Sequence, residues 1–261
     1  MDLESCKSRN AGSTIIPEYS QGSYFVDESR YSADAGFKAE NFIKIFSKFI
    51  KAYNPRIKSF IDVGCGSGDI IKLIADFLKT NGGFENVQFK AYDVSPHVNN
   101  ITHQGIEYIW GDFCQSDECV DIVTLFDVFE HVPDTIEFIK SVAQRCKFIG
   151  FHIPLDNNFN VAMRDGFRWG LHKSGHLLFL DTASALNLLA LSGLRVIDYE
   201  YTCLFAPCSL LSRLTFPIRY FLIKRNPWLL SKTLGGMSLS VIAITKLGLQ
   251  EIRLSEKQVV V

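Results

Sequence analysis

The stretch Ile61-Asp62-Val63-Gly64-Cys65-Gly66-Ser67-Gly68-Asp69 constrains this chain more than any other. An apolar run, Lys58 to Val63, leads into it. A segment with helical spacing (Ile70, Ile71, Leu73, Ile74, Phe77, Leu78) leads out. A glycine turn between strand and helix is the setting of a nucleotide-binding loop, because glycines permit the tight turn and let a ligand lie against bare backbone. The spacing is GxGxG, not the GxGxxG of dinucleotide enzymes.

The rest of the chain continues this rhythm. Strands are expected at Val87–Tyr92, Ile106–Trp110, Val120–Leu125 and Lys147–Ile153, and helices at Ala35–Tyr53, Asp69–Leu78 and Asp134–Ala143. Strands alternating with helices of about ten residues mean βαβ units, and so a parallel sheet with helices on both faces. After a loop come a helix, Thr182–Leu191, a strand, Arg195–Tyr201, and a last strand, Met237–Thr245. Residues 1–34 are polar, carry Tyr19, Tyr24 and Tyr31, and are expected to form an arm or lid. Residues 204–234, basic and apolar, form an insertion or cap in which Pro217 and Pro227 should break any long helix. With no internal repeat and no linker, residues 1–261 form one domain.

Composition excludes several classes. A chain 47% hydrophobic and 21% charged has ample material for a core, so disorder is excluded as the dominant state. A net charge of −1 argues against coating a nucleic acid through a broad basic face. The seven cysteines have no CxxC spacing, and the N-terminus has no cationic segment followed by an apolar run. Free thiols in a reducing cytoplasm follow. No apolar stretch approaches the ~20 residues of a membrane span.

Acidic residues stand at three consecutive strand ends: Asp62, Asp93 and Asp112, the last beside Phe113. A carboxylate at the second strand end can accept from both ribose hydroxyls, and an Asp–Phe pair can hold an adenine. Three carboxylates disfavour a pyrophosphate and suit an adenosine ligand bearing a cation.

On these residues the chain resembles a class I S-adenosylmethionine-dependent methyltransferase of the small-molecule type. The likeness runs through IDVGCGSGD (61–69), AYDVS (91–95), GDF (111–113), DIVTLFDVFEHVPD (121–134) and the 175–201 segment, and ends in GGMSLSVIAIT (235–245). FHIPLD (151–156) and the closing strand are similar to enzymes of bacterial surface-polysaccharide pathways. The resemblance implies a Rossmann-like α/β fold: a seven-stranded, mostly parallel sheet with the last strand antiparallel. It implies S-adenosyl-L-methionine as cofactor, with Asp62, Gly64, Cys65 and Gly66 at the methionine moiety and Asp93 at the ribose. Val94, Asp112 and Phe113 frame the adenine, and Phe126 and Asp127 lie near the sulfonium. Cys65 itself is a small residue that suits a tight turn.

Methyl transfer from a sulfonium is an in-line displacement in which the protein mainly aligns the nucleophile. A hydroxyl acceptor also needs a base, for which histidine is best suited. His131, His152 and His176 are the catalytic candidates. His131 begins the helix after the fourth strand, His152 faces away from its neighbours Phe151 and Ile153, and His176 lies in a loop. No metal ligand is assigned. A competing reading makes Asp127, Glu130 and His131, with His176, similar to the metal site of magnesium-assisted quinone and RNA-terminus O-methyltransferases.

The expected acceptor is a hydroxyl or amine of a small molecule such as a sugar or nucleotide-sugar, and no nucleic acid. Residues 210–232 interleave apolar and basic residues, which suits a peripheral membrane or lipid-linked acceptor contact or, alternatively, a cap with its apolar side inward. An NAD-dependent oxidoreductase and a cofactor-binding regulatory protein are the alternatives.

Overall fold

The structure, a computed structural model, describes residues 34–81, 84–204 and 210–251. The expected arm falls almost wholly outside them. Seven strands form one sheet: β1 (Ser59–Val63), β2 (Gln88–Asp93), β3 (Ile106–Trp110), β4 (Val120–Phe126), β5 (Cys146–Pro154), β6 (Arg195–Thr202) and β7 (Ser238–Ile244). Their order is β3-β2-β1-β4-β5-β7-β6. Strands β1 to β5 pair in parallel, while β7 runs antiparallel to both β5 and β6.

Two apolar layers hold the sheet. On one face, α1 (Ala35–Tyr53) and α2 (Asp69–Thr80) bury Phe42, Phe46, Ile71 and Ile74 against Phe60, Phe89 and Phe126. Phe42 stacks on Phe46 at 5.3 Å and meets Phe126 edge-on at 5.5 Å. On the other face, α3 (Thr135–Ala143) and α6 (Thr182–Leu191) cover Val123, Leu125 and Phe151 with Ile139, Val142, Ala185 and Leu189. Every residue of β4 is buried, which explains its continuous apolar run: a central parallel strand has no solvent face.

Three expectations need correction. The loop before α6 contains two short helices, α4 (Phe159–Met163) and α5 (Gly166–Ser174). His131 does not begin the helix after β4; it ends a 3-10 turn, Phe129–His131, and α3 starts at Thr135. A 16-residue helix, α7 (Leu210–Arg225), runs through Pro217. An interior proline removes one backbone hydrogen bond at a cost of about 3 kcal/mol, and the turns on either side sustain the helix across it. Pro227 does act as a break: Asn226 caps α8 (Pro227–Lys232) by accepting from Leu229 N at 2.9 Å.

Candidate functional site

The carboxyl ends of β1, β2 and β4 meet at the glycine turn. Gly64 and Gly68 have φ of +74° and +76°. A Cβ on Gly64 would sit 2.6 Å from Val128 Cγ2, and one on Gly68 2.6 Å from the Tyr108 hydroxyl, so both positions require glycine. The amides of Gly64 and Cys65 donate to Tyr92 O at 2.8 and 3.1 Å. The Cys65 side chain packs into the layer under α2, and burial, with the nearby Asp93 and Asp62, pushes its thiol up. Only the backbone of Cys65 belongs to the turn's outer surface.

Asp93 ties the turn to β2. Its Oδ2 accepts from Gly66 N at 2.9 Å and its Oδ1 from Ser95 N at 2.8 Å. Burial raises its pKa, against the lowering by those two amides. Asp62, fully buried, accepts from Thr124 Oγ1 at 2.7 Å. Burial pushes it up to about 7, opposed by the Thr124 hydroxyl and aided by the charge of Asp93.

The residues expected at an adenine are more dispersed. Val94 is exposed, and its carbonyl accepts from Trp110 Nε1 at 3.0 Å. Asp112 is exposed and accepts from Cys114 N at 2.8 Å. The Phe113 ring is buried edge-on against Tyr92 at 5.4 Å. Trp110, exposed between these elements, escaped the sequence reasoning, although a tryptophan at a strand end beside an acidic turn was its signal.

Phe126, the last residue of β4, is buried under α1, and Asp127 after it takes the left-handed conformation, φ +54°. Aspartate tolerates that region better than most residues, but it is uncommon and clusters at functional sites. Asp127 Oδ1 accepts from His152 Nδ1 at 2.6 Å, and its Oδ2 pairs with Lys38 Nζ at 2.8 Å. Burial alone would raise the Asp127 carboxyl; His152 and Lys38 beside it outweigh that and hold the group below the usual carboxylate range. Burial would likewise lower Lys38, but Asp127 and then Asp34, 2.9 Å away, raise it above the ordinary lysine value. His152 is buried, and among the described residues its Nε2 has no hydrogen-bond partner. Lys38 was missed by sequence reasoning. Its signal was a charge inside the apolar stripe Ala35, Ala39, Phe42 that α1 turns toward the sheet.

A second cluster lies beyond the 3-10 turn. Glu130, His131 and His176 each offer a ligand atom within 4.8 Å of the others. Glu130 is 1% exposed, and among the described residues neither of its carboxylate oxygens has a hydrogen-bond partner. Burial, then the charge of Asp127, raises it well above the ordinary carboxylate. His131 Nδ1 faces the Gly175 carbonyl at 3.2 Å; burial and the neighbouring His176 lower its pKa to about 4, so the ring is neutral near pH 7. His176 Nδ1 stands 3.3 Å from Asp156 Oδ2, a partner the sequence gave no sign of. Leu177 N and Leu178 N both donate to Glu130 O, which pins this loop to the 3-10 turn. The three candidate histidines therefore divide: His131 and His176 meet with rings 4.9 Å apart, while His152 pairs with Asp127 under α1. Asp127 is engaged there and does not join the cluster.

Comparisons with known proteins bear on the family and the fold. A family model described as a methyltransferase domain matches residues 37–199, more than half the chain. The N-methyltransferase NodS from Bradyrhizobium japonicum WM9, in complex with S-adenosyl-L-homocysteine, superposes with a TM-score of 0.54 at 12% identity, over 88% of this chain and 100% of that one. Magnesium protoporphyrin IX methyltransferase from Synechocystis PCC 6803 gives 0.53 at 13%, over 85% and 88%. The plantazolicin methyltransferase BpumL gives 0.51 at 18%, over 87% and 94%. No curated protein matches in sequence. At these identities the structures speak for the fold, and the family match sets aside the oxidoreductase alternative. The chain belongs to the methyltransferase-domain family, as the class I S-adenosylmethionine-dependent kind that its motifs resemble.

Proposed function

We propose that the protein transfers the methyl group of S-adenosyl-L-methionine to a hydroxyl or amine of a small molecule. A sugar or nucleotide-sugar hydroxyl is the acceptor class that the resemblance favours. Neighbours named for magnesium protoporphyrin IX and plantazolicin support a small-molecule acceptor. Asp62, the 64–66 turn and Asp93 would hold the methionine and ribose. Val94, Asp112 and Phe113 would frame the adenine, and Phe126 and Asp127 would border the sulfonium. The observation that carries the reading is the Asp127–His152 pair, which leaves His152 Nε2 without a partner among the described residues near the end of β5. The cofactor would supply an activated methyl group to the acceptor oxygen, with S-adenosyl-L-homocysteine as the leaving group, and His152 Nε2 would take the hydroxyl proton. Asp127 holds the imidazole in the tautomer that accepts it, the role of an orienting carboxylate in nucleophile–base pairs. His176 and His131 are the other candidates for the proton.

The test is calorimetry with S-adenosyl-L-homocysteine together with turnover on a panel of sugar and nucleotide-sugar acceptors. His152→Gln is expected to bind the product cofactor as the native protein does. Its turnover should fall by about 10²–10⁴, the worth of a positioned base. Normal turnover would move the base to the second cluster, and tight binding with no turnover on any acceptor would favour a regulatory protein.

A second reading, a cation-assisted transfer, is favoured by the Glu130 carboxylate. Two buried oxygens without a partner among the described residues, beside two imidazoles, fit a divalent cation, and a carboxylate with two histidines suits zinc or manganese better than magnesium. Glu130, His131 and His176 would hold it, and the cation would supply Lewis acidity toward a hydroxyl acceptor. Thermal melting of metal-stripped protein with added zinc or manganese is expected to show a raised midpoint that Glu130→Gln abolishes. No shift in the native protein would exclude this reading.

A further inference from the structure

Helix α7 is apolar on two sides. Leu222 and Ile223 pack against the core, and the Arg219 guanidinium reaches inward to donate to Gly235 O at 2.8 Å and Leu234 O at 2.7 Å. Leu214, Ile218 and Phe221, spaced by four and three residues, form one stripe on a different side, and they are 68%, 56% and 61% exposed. Arg225, four residues beyond Phe221, continues that stripe in solvent, and exposed Lys224 adjoins it. Through Asn226 the chain turns into α8, where Trp228 and Leu229 are also exposed. A surface helix of a water-soluble protein ordinarily turns such residues inward. The cap expected from the sequence, apolar inward and basic outward, is therefore only half of what α7 presents.

The exposed charges at this face, Lys224 and Arg225, are both cations. Between Glu200 and Glu251 the sequence has no acidic residue; of its basic residues there, Arg219 turns inward and Lys232 pairs with Asp181, while Lys224 and Arg225 lie in solvent. Large aliphatic and aromatic side chains bordered by lysine and arginine are what an interfacial helix lays into the headgroup boundary of an anionic bilayer. An apolar ligand alone would not need the cations, and an acidic protein surface would not need the tryptophan and phenylalanine.

We propose that the outward face of α7 and α8 docks the protein on an anionic phospholipid bilayer. The inference goes beyond the transfer reaction and does not depend on its acceptor. The test uses the full chain, sedimented with vesicles of phosphatidylcholine alone and of phosphatidylcholine with phosphatidylglycerol. Binding to the mixed vesicles, weakened by added salt, is the expected result. Ile218→Gln with Phe221→Gln should weaken it by more than about ten-fold, because two large apolar side chains leave the boundary. Lys224→Gln and Arg225→Gln should weaken it about five-fold each, and only on the anionic vesicles. S-adenosyl-L-homocysteine affinity, unchanged in all three variants, verifies that they are folded. Absence of binding to the mixed vesicles overturns the proposal, as does equal binding by the Ile218–Phe221 variant. A concentration-dependent dimer that the same variant dissolves would assign the face to a second copy of this chain instead.

Discussion

Replacing Asp127 with asparagine is expected to lower stability by about 2–4 kcal/mol at neutral pH, with the loss shrinking toward pH 3. Asparagine keeps the shape of the side chain and tolerates the left-handed backbone, φ +54°, so charge is the variable being changed. Removing one member of a buried ion pair costs about 3–5 kcal/mol. The figure is lower here because Lys38 retains Asp34 and the Asp127 side chain is 26% exposed. The sign with pH follows from the depressed carboxyl. A group whose folded pKa lies below its unfolded value near 3.9 contributes fully above that value, and the contribution is lost as pH falls toward the folded one. Denaturant melts of native and Asp127→Asn protein at pH 7 and pH 3 check it; a gap equal at both would refute the ionic account. Asp127→Ala should cost about 1–2 kcal/mol more, since alanine is strained at positive φ.

Asp62 should act in the opposite sense. Its carboxyl is pushed up to about 7, so between pH 4 and pH 7 the folded chain binds a proton that the unfolded chain has released. Stability therefore falls as pH rises through that window. A displacement of about three pKa units corresponds to on the order of 4 kcal/mol. Asparagine at this position can still accept from Thr124 and carries no charge. Asp62→Asn is expected to melt above the native protein at pH 8 and level with it at pH 5, as differential scanning calorimetry would read. If the native protein shows no pH slope that Asp62→Asn removes, Asp62 titrates normally. On the function proposed above, a cofactor bearing a sulfonium beside Asp62 favours the ionised carboxylate, so binding should flatten the slope.

How far the sequence disclosed this molecule depends on the range of each interaction. Helix α1 was legible to its end residues because its apolar stripe recurs over five turns and Asn54 takes the left-handed stop. The glycine turn and the buried run of β4 were legible because one local rule, bare backbone or a continuous apolar strand, governs each. α4 was not legible because it buries no side chain, so nothing patterns its residues. The path of α7 through Pro217 was misread because propensity counts the lost hydrogen bond but not the rest of the helix. Pairings distant in sequence left little trace. Lys38 with Asp127 and His176 with Asp156 are each made by elements whose approach is set only when the sheet closes. The insertion of β7 between β5 and β6 is of the same kind: no residue in Ser238–Ile244 announces its neighbours, and the resemblance alone implied its direction.

That insertion has an evolutionary consequence. Because β6 and β7 are antiparallel partners, with Tyr201 opposite Leu239 and Thr202 opposite Ser238, the chain leaves and re-enters the sheet at adjacent points. Both points lie on the edge where β5 also ends, with Pro154 opposite Ser238. The ends of the excursion are thus anchored by the sheet, whatever lies between them. Closing such a loop costs free energy only logarithmically in its length, about 0.6 kcal/mol for each doubling. Descendants of this chain can lengthen or shorten 203–237 at little cost in loop closure, provided Leu222, Ile223, Leu230 and Met237 go on filling the core they line, while the glycine turn and the Asp127–His152 pair stay where they are. The architecture leaves the part of the protein that meets the outside world free to diversify while the chemistry beneath it is held constant.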